Sequence, residues 1–139
     1  MKTGDEKKKL KHKATTENYK FYYNIAKKII TSLAAIIGCS YKDIVKQPGT
    51  FKNSTARYYA TYQILKQTKL SISAACGLLG HWDGWYPARK SKEIQNAIKK
   101  AKRYEELTKQ QRLFKDIHDQ YVKYGYFRSY EFLEEKEKQ

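Results

Sequence analysis

Apolar positions recur at helical spacing along most of the chain. Between Glu17 and Ile37, the residues Tyr22, Ile25, Ile29, Leu33 and Ile36 return every three or four positions and mark one face of a long first helix. Gly38 is a natural stop for it. Ser40 followed by Asp43 forms an S-x-x-D start for a short second helix through Val45. Residues 46–53 contain Pro48-Gly49 and read as a loop. Ser54 is expected to cap a third helix reaching about Thr68, with Ala56, Tyr59, Ala60 and Ile64 inward. Ser71 caps a short fourth helix through Leu79, and Gly80 ends it. A tight turn over His81 and Trp82 leads to Asp83, a strong cap, and a fifth helix from Gly84 to about Tyr104. Its Pro87 falls in the first turn, where a missing N–H costs nothing, and Ile94, Ala97, Ile98, Ala101 and Tyr104 mark its buried side. A sixth helix, Lys109 to Tyr124, shows Leu113, Ile117, Tyr121 and Tyr124. Gly125 breaks it, and Ser129 caps a last acidic segment. No alternating strand pattern and no repeat is visible. The expectation is an all-α fold, a helical bundle with a helix-turn-helix and an extra C-terminal helical extension. Residues 1–14 are polar and aperiodic and read as a disordered basic arm, 15–104 as the domain, and 105–139 as the extension.

Composition adds a partner to this picture. In 139 residues, one domain's worth, 29 Lys and Arg stand against 14 Asp and Glu, a formal net charge of +15. Such an excess points to polyanions, nucleic acid first and an anionic membrane surface second. The excess runs through the body of the chain: residues 41–69 and 81–103 each carry a net +5. A bland reading stands beside this one, since a composition rich in Lys, Ile, Tyr and Asn fits an AT-rich genome that uses Lys as a general solubiliser. No apolar run of ~18 residues exists to span a membrane, and no apolar stretch follows the charged N-terminus as in a secretory signal. Two cysteines, Cys39 and Cys76, cannot build a disulfide framework and read as small buried groups of a reduced, intracellular protein. His12, His81 and His118 lack zinc-ligand spacing with them. Asp116 and Asp119 beside His118 read as a solvated helix face. No nucleophile–base constellation stands out, so neither enzyme, metal nor cofactor is expected.

The informative stretch is SISAACGLLG, then HWD, then GWYPARKSKEI. A short helix rich in small residues lets a second helix cross it closely, and that second helix begins with a cap and is basic. This is the layout of a helix-turn-helix, whose second helix enters the major groove with its N-terminus. Arg89 and Lys92 are three apart and share a face suited to phosphates, with Lys90 beside them. Trp82 and Trp85 read either as anchors of the hairpin or, for Trp85, as a contact to a thymine methyl or a sugar.

Without a gap over roughly Ile29 to Ala101, the blocks Asp43-Ile44-Val45, Arg57-Tyr58-Tyr59-Ala60-Thr61, Thr68-Lys69-Leu70-Ser71-Ile72, Leu79-Gly80 and Trp82-Asp83-Gly84-Trp85-Tyr86 keep a known spacing. The chain resembles domain IV of the bacterial replication initiator DnaA, whose pattern runs D-L-L, a basic loop, R-Q-x-A-M, T-x-x-S-L, F-G and R-D-H-T/S-T-V. The resemblance implies a Trp-repressor-like helix-turn-helix fold and double-stranded DNA as partner. It puts Arg57 on a DNA-contacting arginine, Asp83 on the aspartate that caps the recognition helix, and Trp85 and Tyr86 on two hydroxyl residues that read bases and phosphates. Gly84 replaces the family histidine and Trp82 the arginine before the aspartate. Gly49 falls on the minor-groove arginine of the basic loop, a contact left to Lys46 or Lys52. These departures sit on the reading residues while the framework matches, so the family's own recognition sequence is expected to be lost. The P-loop motif G-x-x-x-x-G-K-[ST] is absent, so no ATPase module accompanies the domain.

The expected DNA-contacting set is therefore Lys46, Lys52, Arg57, Asp83, Gly84, Trp85, Tyr86, Arg89, Lys90 and Lys92. The expected role is replication control or transcription regulation in the cytoplasm at the nucleoid, or in a host cytoplasm if phage-encoded. The rival is a protein-interaction or structural module, such as a phage virion or host-takeover protein, with nonspecific DNA affinity alone. The aromatics Tyr104, Phe114, Tyr121, Tyr124, Tyr126, Phe127, Tyr130 and Phe132 motivate it. Packing of that stripe against the bundle is preferred, with a homodimer or partner interface next.

Overall fold

The computed structural model describes residues 4–46, 50–80 and 86–124, with side chains for 19–46, 50–80 and 86–123. Six α-helices follow one another: α1 Gly4–Ile37, α2 Tyr41–Val45, α3 Phe51–Gln67, α4 Ile72–Leu78, α5 Tyr86–Lys100 and α6 Lys109–Tyr124. A single 3₁₀ turn, Tyr104–Glu106, precedes α6, and the described residues contain no strand. The fold is all-α.

Most starts and stops follow from local chemistry. The Ser40 hydroxyl accepts from the Asp43 N–H at 3.2 Å while the Asp43 carboxylate accepts from the Ser40 N–H at 3.1 Å, a reciprocal box that opens α2. Hydrogen bonding to the carboxylate from the Ser40 N–H first, and then from the Ser40 side chain, holds the Asp43 carboxyl below its ordinary pKa. The Ser71 hydroxyl caps α4 through the Ala74 N–H. Gly38 and Gly80 take left-handed φ values of 74° and 79° after α1 and α4.

Three boundaries differ from the sequence expectation. The cap of α3 is Thr50, whose hydroxyl accepts from the Asn53 N–H, and Ser54 lies inside the helix. The breaker of that loop is Pro48-Gly49, and the residues after it, Phe51 to Asn53, contain nothing that opposes a helical turn. At the other end of the molecule α1 begins at Gly4, so residues 4–14 of the stretch read as a disordered arm are helical in their backbone. Between Asp5 and Ile37 there is neither Pro nor Gly, and a helix anchored downstream propagates through Lys, Glu and Ala without a new nucleus. The fifth helix stops at Lys100, short of Tyr104, whose ring is 44% exposed and whose hydroxyl donates to Asp116.

The helices share one core, and α3 is its axis. Ala56, Tyr59, Ala60 and Ile64, the four positions expected inward, have no exposed surface. Ile29, Ile30 and Leu33 of α1, Ile44 of α2, Ala75 of α4 and Ile94 of α5 complete the cluster. Phe114, Ile117 and Tyr121 of α6 belong to it as well. The Tyr59 ring meets Phe114 at 5.1 Å and Tyr121 at 5.5 Å, both edge to face. The described part of the C-terminal extension is thus a wall of the bundle, and its aromatic stripe packs inward through Phe114 and Tyr121. The side chains of Tyr124, Tyr126, Phe127, Tyr130 and Phe132 lie outside the described residues.

Candidate nucleic-acid interface

The last turn of α2 ends in three carbonyls, and each meets another element. Arg57 of α3 donates from Nε to the Ile44 carbonyl and from Nη2 to the Lys46 carbonyl, both at 2.7 Å. Between them, the Val45 carbonyl lies against Gly80, where any Cβ would collide with it. A helix C-terminus carries a partial negative charge and unsatisfied carbonyls, and a planar guanidinium spans two of them at once. Arg57 is 2% exposed, and burial pulls its pKa below the ordinary arginine value. The expectation that Arg57 reaches DNA is therefore corrected. Its Nε and Nη2 donate to backbone carbonyls and the residue is almost wholly buried, so it joins α2 to α3 and offers next to no surface to a phosphate. The sequence signal concealed this because its partners lie 11 and 13 positions away.

The neighbouring residue ties α3 to α5. The Tyr58 ring meets Tyr86 edge to face at 6.0 Å. Burial first, and then its hydrogen bond with Tyr86, pushes the Tyr58 hydroxyl up to about 12. Tyr86 remains half exposed at the first position of α5. Pro87, Ser91 and Ile94 form the buried stripe of α5. The opposite side carries Arg89 and Lys92, both exposed, with half-buried Lys90 on the flank. None of these three cations forms an ion pair with a described residue. Lys46 and Lys52 are also exposed, at the end of α2 and in the first turn of α3. Of the ten expected contact residues, Lys46, Lys52, Tyr86, Arg89 and Lys92 are thus at the surface, Lys90 is half buried and Arg57 is interior. Asp83, Gly84 and Trp85 lie outside the described residues.

A second polar system lies outside the sequence expectation. Gln67 Nε2 donates to Gln63 Oε1 at 2.7 Å, Gln63 Nε2 to the Tyr59 hydroxyl at 2.7 Å, and Gln67 Nε2 also to the Tyr121 hydroxyl at 3.0 Å. Tyr59 then stands 2.8 Å from His118 Nδ1. Tyr59 receives the Gln63 amide, and a neutral His118 with Nδ1 as acceptor gives the Tyr59 O–H its partner. Burial holds the His118 pKa below its ordinary value, against the pull of Asp119. The i, i+4 spacing of Tyr59, Gln63 and Gln67 was the available signal, since it puts three polar side chains on one helix face.

Among the described residues no group of three His, Cys, Asp or Glu could hold a metal ion, and no helix is long and apolar enough to cross a membrane. The chain matches no family model, no curated protein and no solved structure.

Proposed function

We propose that the chain is a non-enzymatic DNA-binding protein in which α4 and α5 act as a helix-turn-helix. In this reading the start of α5 lies in the major groove of duplex DNA. Arg89, Lys90 and Lys92 meet phosphates or base edges, and Lys46 and Lys52 add backbone contacts from the α2–α3 side. The role is control of replication or transcription at the nucleoid, in line with the spacing shared with DnaA domain IV. The observation that carries the proposal is the exposed cationic face of α5, which forms no ion pair with a described residue, on a chain of net charge +15. Cations without internal partners add little to stability, whereas a polyanion gains from each of them through counterion release.

The test is fluorescence anisotropy with labelled random duplex DNA at several salt concentrations, beside selection from a random-site library. The expected outcome is a log–log salt slope on the order of −5, with an enriched motif. Arg89→Glu with Lys92→Glu should flatten the slope by about two and leave the melting temperature unchanged. Binding that vanishes near ~150 mM salt without any enriched motif would sink the proposal and favour a protein-interaction module.

A further inference from the structure

On one flank of α5 a cleft of about 410 Å³ opens between that helix, the first turn of α3 and the start of α6. Apart from Lys90, its walls are groups that the major-groove reading leaves unused. Phe51 is 45% exposed, and the Lys109 ammonium stands 5.5 Å from its ring centroid. Lys90 faces the cleft from α5, with Glu93 beside it, and neither is paired with a described residue. Gln111 uses its side-chain oxygen on the Thr108 N–H at 2.9 Å, which leaves its amide N–H₂ available. Gln110 turns its N–H₂ to the Thr55 hydroxyl at 3.4 Å, which leaves its oxygen available.

We propose that this cleft receives one unpaired nucleotide of a DNA strand, the base against Phe51 and its phosphate between Lys90 and Lys109. The inference rests on the nucleic-acid reading of α5 and deepens it. An aromatic ring beside cations is the chemistry that holds single-stranded bases, because every base offers a π-face and every link a phosphate. The volume lies in the range of small-ligand sites, enough for a nucleotide and too narrow for a duplex. Lys90 is a wall of the cleft and adjoins Arg89 in sequence, so the cleft opens beside the face of α5 on which the duplex would lie. The amides of Gln110 and Gln111 offer one acceptor and one donor to a base edge. The Glu93 carboxylate accepts from exocyclic amines, which adenine and cytosine have and thymine lacks.

The experiment compares a blunt duplex with the same duplex carrying one bulged adenine, by anisotropy with the full chain at fixed salt. The bulge should bind about tenfold tighter. Phe51→Ala and Lys109→Gln should each remove that preference while leaving blunt-duplex affinity and the melting temperature in place. Phe51→Tyr should keep it, and a bulged thymine should show less of it than adenine. Equal affinity for the two duplexes, with blunt binding still sensitive to Arg89→Glu, overturns this inference alone. Binding to neither overturns it together with the DNA reading. Binding of free dAMP with the same dependence on Phe51 overturns the assignment to a strand.

Discussion

Arg57 and Arg89 are both arginines of basic segments, and the fold uses them in opposite ways. Around Arg57 the fold closes on itself: the Ile44 and Lys46 carbonyls at the end of α2 take the guanidinium, and the Val45 carbonyl between them lies against Gly80. Around Arg89 the outer face of α5 is left to solvent, and Arg89 and Lys92 have no ion pair with a described residue. A charge enclosed by its own backbone holds a junction together. A charge held on a helix surface without a partner is available to something outside. The difference lies in position alone, since the residue type is the same. It separates the contributions of the basic residues to stability from their contributions to binding.

The comparison breaks first at Arg57. Arg57→Ala should cost about 3–5 kcal/mol, because two charge-assisted hydrogen bonds go, the Ile44 carbonyl stays buried without that donor, and a large buried side chain is lost. Urea unfolding would show a lower midpoint, while Arg89→Ala should move it by less than about 0.5 kcal/mol. Arg57→Lys should fall between, since an ammonium keeps the charge but lacks the fork that spans two carbonyls. Equal effects at Arg57 and Arg89 would dissolve the distinction. Arg57→Glu is accordingly a folding variant and no probe of DNA contact.

Gly80→Ala sharpens the picture of the junction without touching a charge. The substitution places a side chain at a left-handed φ of 79° and against the Val45 carbonyl. The conformational part alone is about 1–2 kcal/mol, and the close approach adds to it. A thermal melt of the variant should shift down, and an unchanged melt would mean that the α2 and α4 ends do not meet. Tyr59→Phe asks whether neutral polar groups bind the α3–α6 seam as the guanidinium binds the junction. The ring packing on Phe114 is kept and the hydroxyl between Gln63 and His118 is lost, at about 1–2 kcal/mol. The same unfolding titration reads it out.

How much of this was legible depended on how far apart in sequence the partners stand. Ser40 with Asp43 and Ser71 with Ala74 are contacts over three positions, and the starts they set are where the local pattern puts them. The same holds for α6, whose apolar positions fix its bounds at Lys109–Tyr124. Thr50 and Ser54 are equally good caps by type, and the residues between them decide, which is why α3 starts a turn early. The role of Arg57 was not legible, because its carbonyl partners belong to another helix and a buried arginine looks in sequence like any other arginine. The resemblance to a DNA-contacting arginine pointed the same wrong way. On α5 the expected inward stripe was legible at Ile94, which is buried, while the burial of Pro87 and Ser91 was not, because neither belongs to that apolar stripe.

The smallest effect expected is the pH dependence of the α3–α6 seam, and its sign follows from which form of His118 the fold accepts. Nδ1 takes the Tyr59 O–H, so protonation of the ring would put a donor where an acceptor is needed and leave that O–H without a partner. The groups around the ring are Tyr59, Tyr62 and Lys66 of α3, Gln95 and Lys99 of α5, and Lys115 and Asp119 of α6. Burial and the two lysines Lys66 and Lys115 oppose the charged form, and Asp119, itself paired with Lys115 at 3.0 Å, favours it. The folded pKa is therefore below the ordinary 6.5 of the unfolded chain. In the interval between the two values the unfolded chain binds more protons, so stability is full above 6.5 and declines as the pH falls through that interval. His118→Gln should remove this component of the decline, measured as the urea midpoint against pH. A decline that persists unaltered in His118→Gln would place the acid sensitivity elsewhere, with the Asp43 capping box of α2 the next group to test at lower pH, since its carboxyl is held below the usual carboxylate range.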